Sequence, residues 1–415
     1  MAGKLPTFIL SELFRQFSSP FNVKHKSLKT STLMPLPPAA LLRCQPLPLV
    51  RIGLVGLGRR GLKTLERYRY LRHAAITALA DLDADKCESA QEELMRTERP
   101  KARTYVGTAA WKELCSDASV DLVYVCTDWD SHADIAQEAM LQGKHVAIEV
   151  PAATTVADCW RLVDTAERTQ RHCFMTENCC YDRFSLATIE MHQKGLFGEL
   201  THFEGAYIHR IDEGSPWMLN HYAHHGGNPY PTHGLGPIGW LANLHRGDRM
   251  DYLVSVTTAN GNINNTLIRT ILGRTILLQL DVTTRRPYSR LQTVCGTRGF
   301  VRKYPQPVVS FPEHDNLQGD AAWHVAEQYL TADPAQRWHH GHDMGVPNEM
   351  NYAMDSRLIH CLVRGLPLDI DVYDAAEWSC IAELSQESAQ NGSQPVRIPD
   401  FTRGHWADTP PHSFF

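Results

Sequence analysis

The feature that most constrains the fold is a glycine-rich stretch that follows an apolar run. Residues 50–61 read VRIGLVGLGRRG, in which Gly56, Gly58 and Gly61 match the pattern G-x-G-x-x-G. The run before them is typical of a buried strand, and residues 62–72 have the pattern of a helix. In this context the first glycine permits a tight turn, the second lets a pyrophosphate approach the backbone, and the third lets the helix pack on the strand. The stretch therefore predicts a dinucleotide-binding loop.

An acidic residue after the next strand supports this interpretation. Residues 76–83 (ITALADLD) have a strand pattern that places Asp81 at its end. This position is about 20 residues beyond the last glycine, where a carboxylate accepts hydrogen bonds from the adenosine ribose. No arginine follows Asp81 immediately, so we expect NAD rather than NADP as the cofactor.

The rhythm of apolar runs predicts two different sheets. Up to about residue 178, strand patterns alternate with helical patterns, which is typical of a parallel sheet covered on both faces. After about residue 200 the strands follow one another with short turns, which favours an antiparallel sheet. We therefore expect an α/β protein with an N-terminal doubly wound Rossmann sheet and a C-terminal α+β domain whose sheet is mostly antiparallel.

Length and composition set the domain boundaries and exclude some classes of function. A chain of 415 residues indicates two domains. We expect a disordered extension over 1–48, an NAD-binding domain over 49–178 and a C-terminal α+β domain over 179–408, with the final helices packed back on the first domain. The net charge of −5 argues against a nucleic-acid partner. No long uncharged apolar run suggests a membrane span, and no clear signal peptide is present, so we predict a cytoplasmic protein.

The cysteines and histidines do not predict a metal site. None of the 11 cysteines forms a C-x-x-C pair, and we interpret them as buried free thiols. The run of His339, His340 and His342 lacks a regular ligand spacing, so we interpret it as a polar segment.

Polar and aromatic residues follow the later strands of the predicted parallel sheet. The carboxyl ends of such strands meet at one edge, where the cofactor lies. The residues expected at this edge are Trp129, Asp130, Ser131, His132, Glu149, Val150 and Asn178.

At these residues the chain resembles the Gfo/Idh/MocA family of NAD(P)-dependent sugar enzymes. That family usually carries Glu-Lys-Pro after the strand where this chain has Glu149-Val150-Pro151. The replacement, together with further motifs, is similar to the glycoside hydrolase family 109 branch over roughly residues 50–408. The further motifs are TENCCYDR (176–183), GLFGELTHFEGAY (195–207), NPYPTHGLGP (228–237), RRPYS (285–289) and DVYDAAEWS (371–379).

The resemblance implies an NAD-dependent α-N-acetylgalactosaminidase. In such enzymes hydride leaves C3 of the sugar, the C2 proton is removed, the C1 substituent is eliminated, water adds to C1 and the hydride returns. Net redox change is zero, so a lysine at the position of Val150 is not indispensable.

The resemblance also implies roles for particular residues. His233 is expected to act as the base at the C3 hydroxyl and Tyr181 as the base for the C2 proton, although either could instead be a hydrogen-bonding wall of the site. The implied NAD contacts are Arg59, Arg60, Asp81, Trp129, Asp130, Ser131, His132, Glu149, Val150 and Asn178. The implied sugar contacts are Tyr207, Tyr230, Pro231, Thr232, His233 and Tyr288.

Some departures from the family leave alternatives open. Met218 stands where the family has an arginine after its tryptophan, which affects which sugar binds, and residues 341–355 fit the family pattern poorly. The alternatives are a sugar oxidoreductase with net redox change and a non-catalytic protein that holds NAD and a sugar. A homo-oligomer could form through the C-terminal sheet.

Overall fold

The structure is a computed structural model that describes residues 38–211, 215–260 and 263–413. Most of the extension expected over 1–48 lies outside the described residues, but its last part does not. Ala39 is buried and its N–H donates to the Tyr373 hydroxyl at 3.0 Å. The Leu47 N–H donates to the Leu362 carbonyl at 3.1 Å. The expectation of disorder is therefore wrong for residues 38–48, because this segment pairs with the C-terminal part of the chain.

The first sheet has six parallel strands in the order β3-β2-β1-β4-β5-β6. The chain moves outward from β1 to β3 and then returns to β4, so the strand order reverses between β1 and β4. A crevice at the carboxyl ends of the strands forms at such a point. The strands are β1 Val50–Val55, β2 Ala74–Asp81, β3 Arg103–Val106, β4 Leu122–Val125, β5 His145–Ile148 and β6 Cys173–Met175.

Helices cover both faces of this sheet, so its central strands are buried almost throughout. Every residue of β4, β5 and β6 is buried, as expected of parallel strands packed on both sides. The connecting helices are α1 Arg59–Tyr68, α2 Ala84–Arg96, α3 Ala110–Ser116, α4 Trp129–Leu141 and α5 Val156–Thr169.

The second sheet has nine strands in the order β14-β13-β12-β11-β7-β10-β9-β8-β15. All neighbouring strands are antiparallel except β7 and β10, which run parallel. The predicted fold class is confirmed. The strands are β7 Leu200–Ile208, β8 Met250–Thr257, β9 Ile263–Thr270, β10 Thr275–Asp281, β11 Gln292–Gly296, β12 Phe300–Arg302, β13 Val308–Phe311, β14 His314–Gln318 and β15 Val396–Arg397.

The helices of this half are α6 Arg183–Gln193, α7 Pro216–His224, α8 Thr232–Leu241, α9 Gly319–Glu327, α10 Asp333–Asp343, α11 Glu349–Arg364, α12 Val372–Ser379 and α13 Ile381–Gln390. Helix α8 is buried along its whole length and crosses β7 at very short range. A Cβ on Gly205 would lie 2.2 Å from the Gly234 carbonyl oxygen, so only glycine permits this approach. The approach brings the N-terminus of α8 beside the end of β7.

The last helices pack against the first sheet. Helix α12 contacts α5 and β6, and its Trp378 is fully buried. The Ala152 N–H donates to the Ser379 hydroxyl at 3.1 Å. Arg67 of α1 forms a buried ion pair with Asp355 of α11 at 2.9 Å. Removing one partner of such a pair leaves an uncompensated buried charge, so this contact holds α11 firmly on the first sheet.

One face of the second sheet carries exposed apolar side chains. Leu267 of β9 is 49% exposed and pairs across the strands with Val254 of β8 and Leu277 of β10. Val256 of β8 is also exposed. None of the helices in the described part of the chain is long and apolar enough to cross a membrane.

Candidate active site

The three glycines of the predicted loop differ in what confines them. Gly56 has φ of 87°, and a Cβ there would lie 2.7 Å from the Cys126 carbonyl oxygen. A Cβ on Gly61 would lie 2.0 Å from the Gly56 oxygen. By contrast, a Cβ on Gly58 would meet no described atom within 4 Å. The first and third glycines thus shape the turn, and the second leaves open the space in which a pyrophosphate can approach the backbone.

Asp81 holds the same loop from the end of β2. Its carboxylate accepts from the Leu57 N–H at 2.7 Å and from the Asp83 N–H at 3.1 Å. Lys86 in the first turns of α2 lies 3.6 Å from it. The carboxylate is therefore fixed beside the glycine loop, in a position that fits a hydrogen bond to the adenosine ribose of NAD.

Two predicted cofactor residues pair with each other across the edge of the sheet. The Arg60 Nε donates to Glu149 Oε1 at 2.7 Å, which joins the start of α1 to the end of β5. Val150, the next residue, is buried, so an apolar side chain occupies the position at which the related sugar enzymes carry lysine. Arg59 precedes this pair on α1 and is exposed.

The start of α4 contributes the next group of predicted residues. Asp128 caps the helix by accepting from the Ser131 N–H at 3.0 Å, and the Ser131 hydroxyl donates to Thr127 Oγ1 at 2.8 Å. Trp129 is buried, whereas the Asp130 side chain is 70% exposed and lies 3.3 Å from His221 Nε2. These contacts place Trp129 at the crevice and Asp130 at its rim.

His132 does not reach the crevice. Its side chain is fully buried, with Nδ1 2.8 Å from the Pro151 carbonyl oxygen and Nε2 3.3 Å from the Thr127 carbonyl oxygen. Burial lowers the pKa of His132 below its ordinary value. A neutral ring held between two backbone carbonyls connects the loops after β4 and β5, and this geometry argues against the direct contact with NAD expected for His132.

Asn178 follows β6 at the same edge and is also buried. Its side-chain amide donates to Asn351 Oδ1 at 2.7 Å, at the first turn of α11. This bond fixes the amide, and the structure therefore places Asn178 between the crevice and the C-terminal helices.

Aromatic side chains from both halves of the chain gather around Trp129. Its ring centroid lies 5.6 Å from that of Tyr230, and the two rings stack with an interplanar angle of 26°. Helix α7 adds Trp217 at 5.3 Å, His221 at 5.2 Å and Tyr222 at 5.6 Å. Tyr207 continues the group beyond Tyr230 at 5.1 Å. We call this group the aromatic cluster; such rings suit the apolar faces of a sugar.

His233 stands at the start of α8, beside the aromatic cluster. Its Nδ1 lies 2.8 Å from Oε1 and 3.0 Å from Oε2 of Glu177, whose side chain is fully buried. Its Nε2 lies 3.2 Å from the Tyr230 hydroxyl. The neighbouring Pro231 and Thr232 are buried beneath the cluster.

The protonation of this pair follows from its surroundings. Burial lowers the pKa of His233, although the Glu177 carboxylate opposes this effect. Burial acts to raise the pKa of Glu177, but the charge and hydrogen bond of His233 hold it below its ordinary value. At neutral pH, therefore, a neutral imidazole donates its Nδ1–H to an ionised carboxylate, and Nε2 keeps a lone pair that can accept a proton.

A second hydrogen-bonded pair lies at the end of β7. The Tyr207 hydroxyl lies within hydrogen-bond distance of His209 Nδ1, at 2.9 Å, and the Tyr207 ring lies 5.2 Å from that of His233. His209 also meets the edge of the Tyr288 ring at 5.1 Å. Burial raises the pKa of Tyr207 to about 12, and burial together with the charge of Arg290 lowers the pKa of His209.

Tyr181 does not belong to this group. It is fully buried, its hydroxyl donates to Asp369 at 3.0 Å, and its ring lies edge-on to Trp240 at 5.4 Å. Burial, with the Asp369 carboxylate, raises the pKa of Tyr181 well above its ordinary value. Because Tyr181 is enclosed in the core with its hydroxyl bound to Asp369, a sugar cannot approach its oxygen, so this geometry argues against the role expected for Tyr181.

Three residues of the site were missed by the sequence reasoning: Glu177, His209 and Arg290. Glu177 follows β6 directly, so its place at the carboxyl edge of the sheet was a usable signal. His209 and Arg290 each lie two residues after a predicted sugar contact in an extended segment, which puts them on the same side of the chain as Tyr207 and Tyr288.

Two groups of side chains within the described residues have the spacing of metal ligands. In the first, Glu177, Cys179 and His233, burial raises the pKa of the Cys179 thiol, which keeps it protonated and weakens it as a ligand. In the second, His245, Asp371 and Asp374, the guanidinium of Arg246 donates to Asp371 at 3.0 Å and supplies the positive charge. We assign a metal to neither group.

The six-stranded parallel sheet, its glycine loop and Asp81 define a protein with a dinucleotide-binding Rossmann domain. Residues 50–177 match the family model described as an oxidoreductase family with an NAD-binding Rossmann fold. This match confirms the prediction of NAD as the cofactor. Residues 181–260 and 256–408 match the model of the C-terminal domain of glycosyl hydrolase 109.

Two relatives are similar in sequence to this chain over most of its length. It is 51% identical to glycosyl hydrolase family 109 protein 2 of Phocaeicola vulgatus over 88% of this chain and 98% of the relative. It is 48% identical to an alpha-N-acetylgalactosaminidase of Bacteroides fragilis over 87% of this chain and 94% of the relative. The chain therefore belongs to glycoside hydrolase family 109, as its motifs predict.

Solved structures share the fold at low sequence identity. An aldose-aldose oxidoreductase from Caulobacter crescentus superposes with a TM-score of 0.67 at 18% identity, over 84% of this chain and 100% of that one. A myo-inositol dehydrogenase from Lactobacillus casei gives 0.63 at 18% identity, over 85% and 99%.

Proposed function

We propose that the protein is an NAD-dependent glycosidase that acts on α-N-acetylgalactosaminides or related hexosides. The observation that carries the proposal is the His233–Glu177 pair, which presents a neutral imidazole beside the aromatic cluster and near the edge where the glycine loop lies. The name of the Bacteroides fragilis relative supports the choice of sugar. We assign NAD binding to residues 49–178 and sugar binding to residues 179–408.

The glycine loop and the edge of the first sheet are proposed to hold the cofactor. Gly58 leaves room for the pyrophosphate, and Asp81 faces the ribose. Arg59, Arg60, Trp129, Asp130, Ser131, Glu149, Val150 and Asn178 stay predicted contacts. Bound NAD supplies an acceptor for the C3 hydride of the sugar and returns that hydride at the end of the cycle.

His233 is proposed to take the proton of the C3 hydroxyl. Nε2 carries the free lone pair, and a sugar hydroxyl that replaces the Tyr230 hydroxyl at 3.2 Å would donate directly to it. The ionised Glu177 stabilises the imidazolium that forms. The buried Val150 cannot exchange a proton, so this pair serves where the related enzymes use lysine.

The C2 proton requires a second acceptor, which we propose is the Tyr207–His209 pair in place of Tyr181. As the Tyr207 oxygen takes the C2 proton, its own proton passes to His209 Nδ1, 2.9 Å away. The C2–H electrons then allow the substituent at C1 to leave with its bonding pair, and water adds to C1 in the reverse sequence. Tyr230, Pro231, Thr232 and Tyr288 are proposed to wall the site.

The exact sugar stays a proposal, because Met218 on α7 stands where the family carries an arginine. Helix α7 contributes Trp217 and Tyr222 to the aromatic cluster, so we place residue 218 of this helix near the proposed sugar site. A thioether cannot replace the hydrogen bonds of a guanidinium. We expect the sugar to be held mainly through its faces and its C3 side.

The test is to follow hydrogen at C2. When an α-N-acetylgalactosaminide is hydrolysed in D₂O, the released sugar should carry deuterium at C2, and NADH should not accumulate. His209→Phe should slow this exchange by roughly 10² because the relay loses its acceptor. Proton NMR of the product and absorbance of the cofactor in one reaction give both readings.

Three results would count against the proposal. Steady formation of NADH from a free sugar would indicate a net oxidoreductase. Elimination would be excluded by two results together. The product formed in D₂O would keep full protium at C2, and a substrate deuterated at C2 would react as fast as the ordinary substrate. Bound NAD and sugar without any turnover would indicate a binding protein.

We also infer that two copies of the chain associate through the exposed face of the second sheet around Leu267. The support is the apolar cross-strand row of Val254, Leu267 and Leu277. The cytoplasmic location expected from the sequence stays a prediction.

A further inference from the structure

Arg290 reaches the candidate active site from an extended segment beside β7. Ser289 and Ile208 exchange both backbone hydrogen bonds at 2.9 Å, and the Ala206 N–H donates to the Leu291 carbonyl at 3.2 Å. These bonds fix the backbone on either side of Arg290 next to Tyr207. The position of the guanidinium is therefore set by the sheet rather than by a free loop.

The guanidinium has no anionic partner in the part of the chain that the structure describes. Its Nη1 lies 3.9 Å from the sulfur of Met350, and its carbon lies 5.7 Å from the centre of the Tyr288 ring. Its Nε is buried and makes no hydrogen bond. A half-buried cation without a carboxylate is costly, so a ligand charge is the natural partner for it.

The charge of Arg290 acts on three neutral side chains, and two of them, Tyr207 and Tyr288, are proposed sugar contacts. Burial raises the pKa of Tyr207, Tyr288 and Cys179, and in each case Arg290 is the charge that most opposes the rise. Its charge also acts on His233 and His209. The backbone of Arg290 is held beside Tyr207 and its guanidinium lies near the Tyr288 ring, so the cation lies beside two of the proposed sugar contacts.

We propose that Arg290 contacts O3 of the sugar and stabilises the negative charge that forms on this oxygen during elimination. The inference rests on the proposed function. After C3 has become a carbonyl, removal of the C2 proton places the C–H electron pair in a C2–C3 double bond and moves the carbonyl pair onto O3. When that pair returns to the C3 carbonyl, the C2–C3 pair forms a C1–C2 double bond, the bond from C1 to its substituent breaks, and the electrons of that bond leave with the substituent. Arg290 is thus a catalytic residue for the C2 step and not for the hydride step.

The experiment separates these two steps in Arg290→Gln and Arg290→Lys, each purified with NAD bound. We expect the rate at which reduced cofactor appears after rapid mixing with substrate, followed by absorbance at 340 nm, to change by no more than a few-fold. Deuterium exchange at C2 and kcat should fall by about 10² to 10³ in Arg290→Gln, the usual effect of losing a group that stabilises an oxyanion. Arg290→Lys should recover part of the loss.

Arg286→Gln is the matched control, because Arg286 lies in the same segment but is exposed and donates to Gln279. It should behave as the native protein does. A raised KM with unchanged kcat in Arg290→Gln would overturn the proposal and make Arg290 a binding residue only. A loss of activity in Arg290→Gln that is confined to substrates carrying a carboxylate or sulfate would also overturn the proposal. If the native protein itself shows no exchange at C2, the proposed function fails instead.

Discussion

At the scale of single residues, the Glu177 carboxylate decides which nitrogen of His233 is basic. Because the carboxylate accepts from Nδ1, the lone pair is left on Nε2, toward Tyr230. His233 could be chosen from the sequence by resemblance, since its motif is distinctive. Glu177 could be placed at the edge of the sheet but not joined to His233, because the two lie on different elements whose packing no local pattern reveals.

The direction of the Tyr181 side chain could not be predicted from the sequence either. The family resemblance implied that Tyr181 takes the C2 proton and therefore faces the sugar. Its direction is instead set by Asp369 and Trp240, which are remote in sequence. Residue type and position at the end of a strand thus predict which residues lie in the same region of the fold. The direction of a side chain depends on partners that are distant in sequence.

Glu177→Gln tests the pair by its dependence on pH. The carboxylate raises the pKa of His233 against the effect of burial, so its removal should lower that pKa further. Activity requires neutral His233, so the acid limb of kcat/KM should move to lower pH. The plateau value of kcat/KM should fall by roughly 10²-fold because the imidazolium form of His233 loses its counter-ion.

The exposed Glu199→Gln on the turn before β7 serves as the control and should match the native profile. If Glu177→Gln loses activity with no movement of the acid limb, Glu177 has only a structural role.

At the scale of elements, the strand-turn-helix of residues 50–68 was the most predictable part of the fold. Turn chemistry and periodicity are local, so the loop, Asp81 and the parallel strands followed from the sequence. The parallel pairing of β7 with β10 inside an antiparallel sheet did not, because register between distant strands leaves no local signal. The ordered segment 38–48 was missed for the same reason, since its partners lie on α11 and α12.

The glycine loop gives a prediction that separates folding from binding. Gly58 has φ of −69°, which any residue adopts, and has open space around it. Gly58→Ala should therefore fold normally but bind NAD at least about tenfold more weakly, which is about 1.4 kcal/mol. NAD released from the denatured protein, and the shift of the thermal midpoint on adding NAD, measure this effect.

Gly61→Ala is the comparison, because its Cβ would collide with the Gly56 oxygen at 2.0 Å. It should lower the thermal midpoint even without NAD. Equal NAD content in Gly58→Ala and the native protein would show that the pyrophosphate does not approach this residue.

At the scale of the whole molecule, the alternation of elements predicted two sheets and their classes, and the structure adds how the chain joins them. Which face of the second sheet stays uncovered could not be derived from the sequence, because Leu267 and Leu278 look equally apolar there. In the structure Leu278 is buried and Leu267 is 49% exposed.

Leu267→Asp tests association through that face. A charge in the centre of the apolar row should dissociate a dimer, so the mass measured by light scattering should fall to that of one chain. Met95→Asp, at a similarly exposed position on α2, is the control and should leave the mass unchanged. A native protein that is already a single chain at micromolar concentration would contradict the inference.

The return of α12 to α5 and β6 has a consequence for how such a protein can be divided. Helix α12, from the last part of the chain, contacts α5 and β6, and the Ala152 N–H donates to the Ser379 hydroxyl. A gene fragment that ends after the first sheet would leave this surface bare. Exchanging the dinucleotide half between relatives therefore requires the final helices to be exchanged with it.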